Sequence, residues 1–149
     1  RAWQLKNAKP EMYGHWCRME IREQEWTKAA EAAGKGLERL PDNRLLLYFS
    51  GYAKSRLAKE FQAGLHRGKA EKEMMEARRD LETALKANRD LDEKGKSLNP
   101  DIYRALVLVC EMAEDLRSLR HYFDLWKKEY PDDPDAATEW ERISRKYSF

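Results

Sequence analysis

At 149 residues the chain has the length of one domain. Charged residues make up 38% and hydrophobic residues 42%, and 29 basic against 27 acidic side chains leave a formal net charge of +2, which excludes the one-signed field of a strongly basic nucleic-acid or membrane-surface binder. No run of about 18 apolar residues is present to span a bilayer, and no signal peptide is visible.

Ala, Leu, Glu, Lys and Arg dominate, alternating β-branched runs are missing, and the prolines lie at the edges of periodic stretches, so the chain reads as all-α. A first helix is expected over residues 10–24, with Pro10 suited to its first turn. A second, over 26–40, carries Trp26, Ala29, Ala30, Ala33, Leu37 and Leu40 on one face and stops at Pro41-Asp42-Asn43. A third starts near Arg44 and runs through Tyr48, Gly51 and Tyr52 to Leu57. A fourth, over 70–87, aligns Met74, Ala77, Leu81, Ala84 and Leu85. The polar residues 88–99, with Gly95, read as a loop. Pro100 opens a fifth helix reaching Ala113, a sixth covers 116–130, and a last one from Pro134 carries Trp140 and Ile143. The chain opens at Arg1 in a stretch that already reads as helix, which points to a piece of a longer protein.

Cys17 and Cys110 are the two cysteines. They could pair, but both stand in helical apolar patterns where a free thiol serves as a small core residue, and free thiols suit a reducing compartment such as the cytoplasm.

Short helices in pairs prompt a search for a period. Pro10 and Pro41 stand 31 residues apart, as do Pro100 and Pro131. A shift of 90 residues carries Tyr13 onto Tyr103, Trp16 onto Leu106, Cys17 onto Val107, Trp26 onto Leu116, Ala29 onto Leu119 and Ala33 onto Phe123, and Pro41-Asp42 onto Pro131-Asp132. Apolar meets apolar in every pairing apart from the shared Asp, so a whole helix–turn–helix–Pro unit recurs. An irregular helical bundle would make both agreements coincidental.

Trp26-Thr27-Lys28-Ala29 through Gly36-Leu37-Glu38-Arg39-Leu40-Pro41-Asp42-Asn43, then Gly51, Ala77, Leu81 and Ala84, resemble the tetratricopeptide repeat family over nearly the whole chain. The resemblance implies a single domain over residues 1–149 in which antiparallel helix pairs, about three plus a terminal helix, stack as a right-handed α-solenoid. Two departures stand out. Gly51 and Ala77 are 26 residues apart where a regular repeat has about 12, so the middle helices are expected to extend through residues 58–73, with Gly64 and Gly68 flanking a turn at Leu65-His66-Arg67. The third repeat carries Leu119 and Phe123 in place of the family's alanines.

In this family the first helix of each pair lines an inner wall. The resemblance places Glu11, Gly14, Arg18 and Arg22 there from the first pair. It adds Leu45, Tyr48, Tyr52, Ser55 and Arg56 from the second, and Asp101, Arg104, Leu108 and Met112 from the third. Tyrosines and arginines are enriched at binding hot spots, and arginine takes a carboxylate by two hydrogen bonds. Arg18, Arg22, Tyr48, Tyr52, Arg56 and Arg104 are therefore the expected contacts to a protein or peptide with acidic and apolar residues. The family's clamp for the terminal carboxylate of heat-shock chaperones is missing, since Gly14, Arg18, Phe49 and Ala105 stand at its places.

Other chemistry finds little footing. His15, His66 and His121 form no metal-binding pair, no phosphate loop is present, and no nucleophile has a local base, so neither metal, cofactor nor catalysis is expected. Trp16, Trp26, Phe123 and Trp126 read as core. Two alternatives remain. Lys54, Arg56, Lys59, Arg67, Lys69, Lys72, Arg78 and Arg79 would form a basic stripe for nucleic acid, interrupted by Glu60, Glu71, Glu73 and Glu76. Trp3 and Trp140, near the two ends, would serve self-association if they are exposed.

Overall fold

Local helix signals are realised closely. The computed structural model describes residues 2–5, 7–89, 91 and 96–149. Its α-helices are α1 (Tyr13–Arg22), α2 (Trp26–Arg39), α3 (Arg44–Ala63), α4 (Arg67–Ala87), α5 (Asn99–Met112), α6 (Leu116–Glu129) and α7 (Pro134–Tyr147). Two short 3₁₀ turns, Ala2–Gln4 and Pro10–Met12, precede them, and no strand occurs among the described residues. Gly95, expected in a loop, lies outside the described residues. Pro10 opens a 3₁₀ turn rather than the α-helix itself, behind an extended Lys9, the conformation a following proline imposes.

The 90-residue recurrence is present in the backbone. It carries α2 onto α6 residue for residue, and the starts of α3 onto α7. Gln24, expected inside the first helix, instead takes φ 57 and reverses the chain; Glu114, 90 residues on, takes φ 58. Leu65 repeats the turn at φ 64 between α3 and α4. In each copy the next amide donates five residues back: Glu25 to Glu20, His66 to Phe61 and Asp115 to Cys110. The second connection recurs as well. Asn43 caps α3 by accepting from the Leu46 amide, and Asp133 caps α7 by accepting from the Asp135 amide.

The extra residues around 58–73 are two helix extensions. α3 has 20 residues and α4 has 21, against 14 in α2 and α6. Their turn is one residue earlier than expected, so Arg67 begins α4 and Gly68 is helical with open space at its Cβ position.

Successive helices pack on one another, and α3 also meets α1 and α5. Glycines mark the closest approaches. A Cβ on Gly51 would lie 2.6 Å from Leu81 Cγ, and one on Gly36 would lie 2.8 Å from Leu46 Cδ1. Two residues earlier on α2, Gly34 faces open space. Ala32, not Ala30, is buried beside Ala29 and Ala33. Phe123 and Trp126 are fully buried, each worth about 2–3 kcal/mol of transfer free energy. Trp26 is buried and Trp16 half-buried.

Polar ties join the layers. Ser50 donates to Asp80 at 2.7 Å and Lys54 donates to the same oxygen at 3.1 Å, which staples α3 to α4. Arg78 of α4 reaches Asp115 and Ser118 at the start of α6. Cys17 and Cys110 are free and buried. Burial pushes their thiols up to about 12 and about 11, far from the thiolate form at neutral pH.

Candidate functional site

Residues three and four apart on a helix share a face, and three helices present such faces to one cleft. α3 contributes Tyr48, Tyr52, Ser55, Arg56 and Lys59. α5 contributes Asp101, Arg104, Ala105, Leu108 and Glu111, and α7 adds Glu139 and Arg142. The cleft has a volume of ≈ 480 Å³. Its aromatic floor is ordered: Tyr52 meets Tyr48 at 6.0 Å between ring centroids and Trp26 edge-on at 5.8 Å. Burial, then Asp101, pushes the Tyr48 hydroxyl up, so it stays neutral and able to donate. Burial also raises Asp101, against the pull of Arg104.

The two edges differ in charge state. On the α5–α7 side Arg104 pairs with Asp135 and lies 3.7 Å from Asp101. Arg142 holds Glu111 at 2.7 Å and Glu139 at 2.9 Å, and Tyr147 and Lys146 also donate to Glu111. The Arg142 hydrogen bonds hold the Glu111 carboxyl down at about 2. On the α3 side Arg56 lies over the Trp26 ring at 5.2 Å and Lys59 is exposed; neither has a carboxylate partner among the described residues.

Of the expected contacts, the cleft gathers Tyr48, Tyr52, Arg56 and Arg104, with Ser55, Asp101 and Leu108 from the expected wall. Arg18 and Arg22 do not line it. Arg18 lies over the Phe49 ring at 5.6 Å, and Arg22 is exposed at the end of α1. Glu11 sits in the 3₁₀ turn, Gly14 and Leu45 contact each other, and Met112 accepts at its carbonyl from Gln62 beside a different cleft. Lys59, expected only in the basic stripe, also lines the cleft across α3, α5 and α7, as do Glu111, Glu139 and Arg142, which were not anticipated. A signal existed for Arg142, because the 90-residue shift places it on Tyr52.

The basic stripe is divided. Lys54 pairs with Asp80, Arg78 with Glu82 and Asp115, Lys69 lies over the Phe61 ring, and Arg56 and Lys59 enter the cleft. The exposure that self-association through the terminal tryptophans would need is not found: Trp3 is buried and Trp140 half-buried. Trp3 is 2% exposed, within the cluster of α1, α2 and α3. Trp140 is half-buried under Lys127, whose Nζ is 3.4 Å from its ring centroid, and Phe149 stacks on it. Both tryptophans are held by long-range contacts that position near a chain end does not reveal.

The nearest approach to a catalytic arrangement, Ser50 with Asp80 and Lys54, keeps Ser50 buried between α3 and α4. Among the described residues no three His, Cys, Asp or Glu side chains cluster as metal ligands, and no helix is long and apolar enough to cross a membrane. No protein family, curated protein or solved structure matches the chain.

Proposed function

We propose that the chain is a tetratricopeptide-like right-handed α-solenoid that binds another protein or a peptide in the cleft across α3, α5 and α7, without cofactor or catalysis. One observation carries this reading: a single face of alternate helices supplies an aromatic floor and four cationic side chains to one open groove. Solenoids bind along such extended surfaces. An apolar side chain of the partner lies over Tyr48, Tyr52 and Leu108. An acidic one meets Arg56 and Lys59, because Arg104 and Arg142 are already held by carboxylates. The buried thiols suit a cytoplasmic setting.

Selection of peptides from a random display library against the whole chain tests this. Selected peptides should carry acidic and apolar residues, and Lys59→Glu should weaken them by about 1–2 kcal/mol, within the range of a modest hot spot. Arg22→Glu, outside the cleft, should leave them unchanged. Equal loss in both variants, or in neither, places binding elsewhere.

A further inference from the structure

We infer that the tip of the α3–α4 hairpin is a self-association surface, where a second copy of this chain docks across a two-fold axis through Leu65, Met75, Arg67 and Glu71. The turn at this tip occurs three times in the chain. Its left-handed position holds Gln24 and Glu114 in the other copies but Leu65 here. That conformation is strained for any residue but glycine or asparagine, and at the tip it presents an apolar side chain 81% exposed to water. Met75 is 73% exposed, and both residues line a cleft with Met74 and Met112. An adjoining cleft shares Gln62, Met112 and Glu114 and adds Leu116. Three of the six exposed large apolar residues described, Leu65, Met75 and Leu116, thus gather around the hairpin tip and the neighbouring α5–α6 turn. Clustered apolar exposure of this kind marks an interaction site, and methionines adapt to the surface they meet.

The charges at the rim select the occupant. Arg67 and Glu71 stand one turn apart on α4 and line the same cleft. Neither has an ion-pair partner among the described residues, whereas Arg78 further along α4 is tied to Glu82 and Asp115. A two-fold axis sets Arg67 of one copy against Glu71 of the other, and the reverse. A rim of both signs around an apolar centre is its own complement, while a partner of one sign leaves one of the two unpaired. None of these four docking residues lines the groove, and none touches Trp3 or Trp140 in the ring contacts described.

Sedimentation equilibrium of the whole chain from micromolar to millimolar concentration tests the surface. A reversible dimer is expected, and Leu65→Asp combined with Met75→Asp should raise its dissociation constant about tenfold or more. Melting should hold, because both side chains stand in water. Arg67→Glu and Glu71→Arg should each weaken the homodimer, and mixing the two variants should restore a dimer, since the mixed pair has opposite charges at both contacts. A chain that stays monomeric throughout overturns the inference. So does a dimer indifferent to the Leu65 and Met75 changes, or a mixture that associates no better than its components.

Discussion

The pairs α1–α2 and α5–α6 share one backbone frame and fill it in opposite ways. α2 buries Ala29, Ala32, Ala33 and Gly36; the corresponding part of α6 buries Leu119, Phe123 and Trp126, with Trp126 at the place of Gly36. The consequence reaches the next helix. α2 backs closely onto α3, with Gly36 against Leu46, whereas α6, with Trp126 at that place, touches α7 more sparsely. The first helices follow suit. α1 packs directly on α3, with Gly14 against Leu45, and the equivalent positions on α5 and α7 hold the ion pair of Arg104 and Asp135. Turns and caps set the repeat, and side-chain volume sets the spacing within it.

The largest expected effect breaks the large-residue frame. Trp126→Ala should cost about 3–5 kcal/mol, read from denaturant unfolding, because the ring fills a fully buried site. The converse change, Gly36→Leu, should cost about 1–3 kcal/mol by overpacking against Leu46 and Tyr13. Two variants of near-native stability would mean that volume does not set the spacing.

The second effect separates the polar junction from the apolar one. The Glu111 carboxyl lies below its ordinary value of 4.5, at about 2. A depressed folded value stabilises fully above 4.5, and that stability is lost as pH falls toward 2. Glu111→Gln should cost about 1–2 kcal/mol at pH 7, discounted for solvent around the exposed arginine, and the deficit should shrink on acidification. Leu45→Ala, at the junction of α1 with α3, should cost the same at both pH values. Thermal melts of the two variants at pH 7 and pH 3 compare them; a Glu111 deficit independent of pH would remove the ion pair as the tie between α5 and α7.

The smallest effect concerns the shared turn. Gln24→Gly and Glu114→Gly should each raise stability by about 0.5–1 kcal/mol, because glycine takes a positive φ without strain. Opposite signs in melting experiments would show that the two turns are not equivalent.

Seven helices among the described residues, their order and the lengthened middle pair were legible in the amino-acid sequence, because prolines and 3.6-residue periodicity act within a turn or two of chain. The reversal at Gln24 was not, since glutamine carries no turn signal and takes a left-handed φ only when the flanking helices pack back to back. Tyr48, Tyr52, Arg56 and Arg104 could be placed on first helices before any contact was known. Tertiary structure alone decided that Arg18 and Arg22 stay outside the cleft, that Arg142 enters it already held by Glu111 and Glu139, and that Trp3 is buried. These outcomes depend on the distance between helix axes and on charges supplied from residues about 30 positions away, and local periodicity constrains neither.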